Sequence, residues 1–355
     1  MRYARTTMLG LRALCHVKSL RSRVPGVVGV CLTGLIATMA PTATATAASR
    51  HADGVIAYSV KTGIYAVHAN GTGSRLLVPW QPSSCGSGCV VWKVPRNPRY
   101  SPDGRRLTYD LETNVVHKGV GSLQANTRTV YVADANGQHR RRLGLGHSPE
   151  FSADGNEVIY LRNPNAYPRQ PNSEIEPPEP LGDDYGPMEA VNVLTGSRRR
   201  LPVPGAPEFS PDGKKMLMYR QVKLSDGFHW GDTVESLDGS EAQFYTLSMF
   251  YAEHPRFTAN GELSYDCPSV HNTQPDICLF SPTSRHHRRL FHIHEFWALE
   301  AANSPSGRHF AISGLQGLYV TNAQGRNPRL IVRNGSGASY VDSDVPTSPT
   351  WQPVA

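Results

Sequence analysis

The sequence predicts an all-β fold, a single six-bladed β-propeller, and three observations lead to that prediction. A turn motif recurs, a second Gly-closed turn follows it in each repeat, and the last copy of the motif stands at the C-terminus with no blade after it. Repeats of about 50 residues are typical of propeller blades. The six copies are NPRYSPDG (97–104), SPEFSADG (148–155), APEFSPDG (206–213), HPRFTANG (254–261), and the degenerate AANSPSG (301–307) and SPTWQP (348–353).

Each repeat predicts four antiparallel strands. Pro and an aromatic residue end the first strand, and Ser-Pro-Asp-Gly then forms a tight turn, because Pro presets φ and Gly accepts positive φ. Runs such as RLTYDL and EVIYLR form the second strand. The third strand closes on a turn such as VYVADANG, and the fourth begins with Arg before Leu, as in RRRLGL and RRRLPV.

The C-terminal copy predicts how the ring closes. The strands GVIAYS and IYAVHANG near residues 54–71 have no opening strand before them, whereas SPTWQP has no blade after it. We therefore expect the C-terminal segment to supply the inner strand of the first blade. Such closure removes the sheet edges that an open array would expose.

The recurring SPDG turns, the Asx-Gly turns and the Arg-Leu strands resemble the TolB-like family of propeller repeats, over residues 53–354. The resemblance implies the propeller fold. It says little about function, because this repeat family includes scaffolds, binding modules and propeller parts of hydrolases. The namesake of the family also carries an N-terminal α/β domain that contacts its envelope partners. We expect no such domain in this chain, and we therefore do not expect those partners to carry over.

Residues 1–47 predict a secretory signal peptide, and residues 48–355 the propeller. Six basic residues and no acid precede the stretch VVGVCLTGLIATMA and the small residues PTATATAAS. The apolar segment between Pro25 and Pro41 holds 15 residues, whereas a bilayer span needs about 20. We expect cleavage near Ala47 or Ala48 and no membrane span afterwards; an uncleaved anchor is the alternative.

Charge and cysteines indicate an exported protein without a nucleic-acid partner. The chain has 36 basic and 29 acidic residues, and removing the six of the leader leaves 30 against 29. This balance offers no electrostatic case for binding nucleic acid. Four cysteines remain after cleavage and predict two disulfides, for which sequence-adjacent pairing is the simplest of three connectivities; the spacing argues against zinc. They are Cys85, Cys89, Cys267 and Cys278.

The long segments, which we expect to be loops and which include 79–96, 111–129, 162–188 and 220–232, all fall between the second and third strands of a blade or between consecutive blades. These two kinds of connection meet on one face, so we expect function there. The largest insertion, within 162–188, is rich in Pro and holds five carboxylates, but it lacks the alternate ligand spacing of a calcium loop. The residues that we expect on this face to bind a ligand or partner are Trp92, Trp230, His271, His294, Glu295 and Trp297.

Catalytic and metal-binding signatures are weak. The sequence contains no G-x-S-x-G, H-E-x-x-H or Walker motif. His292 and His294 of FHIHEFW would share one side of a strand, but two histidines do not make a metal site. Asp103, Asp154 and Asp212 are interpreted as turn residues.

The function that the sequence favours is a binding module rather than an enzyme. We expect an exported, monomeric protein without cofactor that binds an envelope or extracellular protein or glycan. The alternative is a lyase or hydrolase that acts on a polysaccharide or lactone, with His271, His294 and Glu295 converging at the channel mouth.

Overall fold

A computed structural model of the chain describes most of the predicted propeller. Within the residues that it describes, the chain forms 25 β-strands and no helix. The predicted leader, 1–47, lies outside them. The described residues are 52–84, 88–117, 123–162, 187–204, 208–224, 227–236, 242–245, 255–267, 276–291, 298–334 and 346–354.

The strands form six sheets, one for each blade. Blade 1 holds β1 (Ala52–Val60), β2 (Gly63–His68), β3 (Arg75–Pro79) and β25 (Thr347–Val354). Blade 2 holds β4 (Gln81–Ser84), β5 (Cys89–Tyr100), β6 (Arg106–His117), β7 (Leu123–Asp134) and β8 (Arg141–Leu145). Blade 3 holds β9 (His147–Phe151), β10 (Glu157–Leu161), β11 (Pro187–Asn192) and β12 (Arg198–Pro204).

The remaining blades follow in the same order along the chain. Blade 4 holds β13 (Glu208–Phe209), β14 (Lys215–Leu224), β15 (Gly227–Ser236) and β16 (Ala242–Tyr245). Blade 5 holds β17 (Arg256–Phe257), β18 (Leu263–Cys267), β19 (Asp276–Ser281) and β20 (His286–Phe291). Blade 6 holds β21 (Ala298–Asn303), β22 (His309–Gly314), β23 (Gly317–Asn322) and β24 (Arg329–Arg333). Each blade is antiparallel, as predicted, and β4 adds a fifth strand to blade 2.

The C-terminal strand closes the ring as predicted. Strand β25 pairs with β1, and Trp351 lies opposite Ile56. The indole Nε1 of Trp351 donates to the carbonyl of Ala302 in blade 6 at 3.0 Å. On the other side, Gln352 Nε2 donates to the carbonyl of Gly104 in blade 2 at 2.8 Å. The closing strand therefore contacts both neighbouring blades.

The hydrophobic core is divided into six clusters, one at each junction between neighbouring blades. Strand β1 shows how alternation produces this arrangement. Val55 and Ala57 pack towards blade 2, whereas Ile56 and Tyr58 pack towards blade 6. Because both faces of blade 1 are buried at this strand, β1 carries apolar side chains on both sides.

The repeated aspartates are turn residues, as predicted. Ser101 Oγ donates to Asp103 at 2.5 Å, and the amide of Arg106 donates to Ser101 Oγ at 2.9 Å. The pairs Ser152 with Asp154 and Ser210 with Asp212 repeat the first of these bonds. Gly104 is required because its φ is +68° and a Cβ there would lie 1.8 Å from the carbonyl oxygen of Pro353.

Three of the long segments are not loops but extended hairpins, so that expectation was wrong for them. Segment 79–96 contains β4 and two thirds of β5, segment 111–129 contains the outer parts of β6 and β7, and segment 220–232 contains the adjoining ends of β14 and β15. Backbone pairing continues to the ends of these strands, which satisfies groups that a loop would leave to solvent. The acidic insertion lies outside the described residues.

One of the predicted disulfides is present. Cys267 and Cys278 are bonded across β18 and β19, with their Cα atoms 5.7 Å apart. Cys89 is also disulfide-bonded. Cys85, its predicted partner, lies outside the described residues. The sequence-adjacent pairing is thus confirmed for the hairpin of blade 5.

Candidate functional site

The two faces of the ring differ in construction. The turns between first and second and between third and fourth strands are short, and we call their side the short-turn face. The opposite side, the hairpin face, carries the β6–β7 and β14–β15 extensions. The β14–β15 ladder runs unbroken from Lys215 opposite Ser236 to Leu224 opposite Gly227. One face therefore holds long paired strands that rise beyond the blades.

Trp92 lies on the extension of blade 2 at the hairpin face. It is 44% exposed, although it belongs to a strand. Its Cα partners are Pro82 on β4 and Asn114 on β6. Residues directly opposite share one face of a sheet, so these three side chains lie on the same side.

A polar chain lies beside Trp92 on this sheet. Arg96 Nε donates to Glu112 Oε2 at 2.6 Å, and Asn114 is a hydrogen-bond partner of Glu112. Burial raises the pKa of Glu112, but the charges of Arg96 and Arg128 and the hydrogen bonds from Arg96 and Asn114 together outweigh it and leave the pKa below its ordinary value. Glu112 is therefore an ionised acceptor at neutral pH. We call Trp92, Arg96, Glu112 and Asn114 the Trp92 patch.

The other predicted site residues are only partly placed. Trp230 lies on β15 opposite Gln221, in the extension of blade 4, so its strand belongs to the hairpin face. His271, His294, Glu295 and Trp297 lie outside the described residues. No group of three or more His, Cys, Asp or Glu that could hold a metal occurs among the residues that the structure describes.

A second charged cluster, absent from the sequence-based prediction, lies on the innermost strands. Neighbouring first strands contact one another, which places them around the channel. The residue after the motif proline is charged in four consecutive blades, and Glu300 joins them from blade 6. We call the five residues the channel cluster: Arg99, Glu150, Glu208, Arg256 and Glu300.

Ion pairs connect this cluster between blades. Arg99 Nε lies 3.0 Å from Glu150 Oε2, and Arg256 Nη2 lies 2.9 Å from Glu300 Oε2. Arg256 Nη1 also donates to the carbonyl of Pro349 at 2.8 Å, which joins blade 5 to blade 1 past the intervening blade. Only 8% of the Arg256 side chain is exposed. Arg256 therefore holds the closing strand from within the channel.

Burial changes the acidity of the channel carboxylates. It raises the pKa of Glu208 to about 8, since the opposing charge of Arg256 does not offset the lost hydration and Glu150 adds repulsion. Burial likewise raises the pKa of Glu150, against the charge of Arg99. At neutral pH, Glu208 is therefore mostly protonated, and its Oε1 accepts from the amide of Phe257 at 2.7 Å.

The repeat alignment contains the signal that would have revealed the cluster. The motif position after proline reads Arg, Glu, Glu, Arg in four successive copies, between a proline and an aromatic residue. Charges at one position of an inner strand must meet around the channel. Treating the motif only as turn chemistry hid this pattern.

Comparison with known proteins yields a match in structure but not in sequence. No family model and no curated protein matches this sequence significantly. TolB from Acinetobacter baumannii superposes with a TM-score of 0.53 at 13% identity, over 84% of this chain and 67% of that one. The chain has the TolB-like propeller fold. A TolB-type structure from Agrobacterium tumefaciens gives 0.50 at 12% identity, over 79% of this chain and 88% of that one.

The comparison establishes the fold alone, because both TolB structures are so distant in sequence. A propeller of this kind presents loops and hairpins on a rigid ring, and unrelated functions use that arrangement. Among the residues that the structure describes, none belongs to a helix with the length and apolar character that crossing a membrane requires.

Proposed function

We propose that this chain is an exported binding module that recognises a protein or glycan of the cell envelope or extracellular space through its hairpin face. The observation that carries the proposal is the exposed Trp92 on an extension that rises from this face. An exposed indole on a rigid sheet supplies contact area at low entropic cost.

Export is part of the proposal. The leader pattern of residues 1–47 supports it, and so does the Cys267–Cys278 disulfide, since such bonds persist in oxidising compartments. We expect the mature protein to act as a monomer and to bind without a cofactor. The near balance of charge in residues 48–355 supports a partner other than nucleic acid.

Binding assays with matched tryptophan variants test the proposal. The mature protein is applied to a glycan array and used in pull-downs of purified envelope proteins, and Trp92→Ala and Trp230→Ala should each weaken the binding found. Leu194→Ala is the control, because Leu194 is 71% exposed and lies in a turn of the short-turn face. Binding that survives both tryptophan changes, or that Leu194→Ala removes, would refute the assignment of the face.

The enzymatic alternative has less support. It depends on His271, His294 and Glu295, which lie outside the described residues. Of the channel carboxylates, Glu150 and Glu300 are already engaged by guanidinium groups. The exposed Trp92 is therefore the observation on which we rank binding above lyase or hydrolase chemistry.

A further inference from the structure

We infer that the Trp92 patch binds a saccharide, with one sugar ring stacked on the indole; this inference rests on the proposed function and specifies its ligand class. The indole is exposed on a sheet surface between Pro82 and Asn114. A second exposed indole belongs to Trp80, the residue just before β4 and two positions before Pro82.

An unsatisfied acceptor lies next to Trp92. Asn114 is 9% exposed, and its Oδ1 has no hydrogen-bond partner among the described residues. Buried polar atoms nearly always have partners, and leaving one without costs about 1–3 kcal/mol. A ligand that donates a hydroxyl proton to Asn114 Oδ1 would remove that cost, and it must displace the side chains that cover this buried atom to reach it.

The remaining groups of the patch are a guanidinium and a carboxylate. The bond from Arg96 to Glu112 fixes a guanidinium and an ionised carboxylate side by side. A sugar ring presents hydroxyls that both donate and accept, together with an apolar C–H face that stacks on an aromatic ring. The carboxylate, the amide and the indole together match both properties of one ring.

A protein partner fits the same patch less well. Stable protein interfaces bury about 800 Å² on each side and concentrate several large apolar anchors. Here the apolar neighbour Val94 is 8% exposed, so it adds no exposed anchor beside the indole. The polar groups of the Trp92 patch and its single exposed indole favour a ligand that contacts the patch with one sugar ring.

Titration calorimetry with cellohexaose, chitohexaose, maltohexaose and a hyaluronan hexasaccharide tests the inference on the whole mature protein. We expect at least one to bind, with Trp92→Ala weakening it by about tenfold or more and Trp92→Phe by less. Asn114→Leu, which removes the acceptor at similar volume, should weaken binding several-fold. Leu194→Ala should leave it unchanged.

The outcomes separate this inference from the proposed function. Binding of none of the four hexasaccharides, or binding indifferent to both Trp92→Ala and Asn114→Leu, overturns the saccharide assignment. If an envelope protein is then bound and Trp92→Ala abolishes that binding, the proposed function stands without the inference. If neither kind of ligand depends on Trp92, both fail. Circular dichroism of each variant confirms that the fold is retained.

Discussion

At the scale of single residues, neighbouring positions of the repeated turn motif form different kinds of contact. The serine and aspartate of the turn are satisfied locally, as Ser101, Asp103 and Arg106 show. The charged residue two positions before this serine forms ion pairs with other blades, as the pairs Arg99–Glu150 and Arg256–Glu300 show. A local bond can be inferred from spacing, whereas a bond between blades depends on how the ring brings the strands together.

The raised pKa of Glu208 predicts a pH-dependent stability. The folded protein keeps the proton up to about pH 8, whereas the unfolded chain releases it near the ordinary value of 4.5. Raising the pH through this window therefore favours unfolding, by at most about 1.4 kcal/mol per pH unit. Glu208→Gln mimics the neutral carboxyl and should remove this decline.

Urea denaturation of both proteins between pH 4.5 and 9 checks the prediction. The wild type should lose stability relative to Glu208→Gln as the pH rises. Glu157→Gln serves as the control, because Glu157 pairs on the surface with the half-exposed Arg199. Parallel pH profiles for the wild type and Glu208→Gln would contradict the protonated state of Glu208.

At the scale of elements, strand length distinguishes the blades. In blade 3 the second strand, β10, has five residues, whereas β6 of blade 2 has twelve and β14 of blade 4 has ten. The extra residues continue the same antiparallel ladders, so backbone hydrogen bonds hold the extensions in the same way as they hold the blade. A binding surface on such strands is held more firmly than one on loops.

The disulfide of blade 5 should stabilise its hairpin. Cys267 and Cys278 are 11 positions apart and clamp the base of a connection outside the described residues. For a closed loop of this size, the chain-entropy model gives about 2–3 kcal/mol. Replacing both cysteines by Ala should lower the free energy of unfolding by about that amount in urea denaturation.

Reduction provides an independent check on the disulfide. Dithiothreitol should lower the urea denaturation midpoint of the wild type towards that of the double variant. In the double variant, dithiothreitol should change the midpoint only by reducing the disulfide of Cys89, which the substitutions leave in place. A double variant as stable as the oxidised wild type would show that packing alone holds the hairpin.

At the scale of the whole molecule, closure depends on several contacts to one strand. Strand β25 pairs with β1, and Arg256 binds the carbonyl of Pro349 from the channel. The junction of blades 6 and 1 has a further bond, because Ser306 replaces the usual turn aspartate and donates to Asp53 of blade 1 at 2.9 Å. Burial raises the pKa of Asp53, but hydrogen bonds from His309 and Ser306 outweigh it and lower the pKa.

Removal of residues 345–355 should destabilise the entire ring. The deletion exposes the inner edge of blade 1 and breaks the core cluster that contains Trp351. We expect a large fall in melting temperature and a loss of cooperativity in calorimetry. Trp351→Ala keeps the strand but removes its buried indole. It should lower the melting temperature less than the deletion does and cost about 3–5 kcal/mol in the free energy of unfolding. An unchanged melting temperature after the deletion would contradict closure by β25.

The number of blades, their strand order, the turn chemistry and the closing strand can all be predicted from the amino-acid sequence. These features depend on local periodicity and on turn residues such as Asp103 and Gly104, which act within a few positions of the chain. Three other features become visible only in the folded ring: segments 111–129 and 220–232 are paired hairpins, Asn114 lies opposite Trp92, and Arg256 reaches Pro349. They could not be predicted because strand pairing beyond the repeat and contacts inside the channel form only when the ring brings separate segments together.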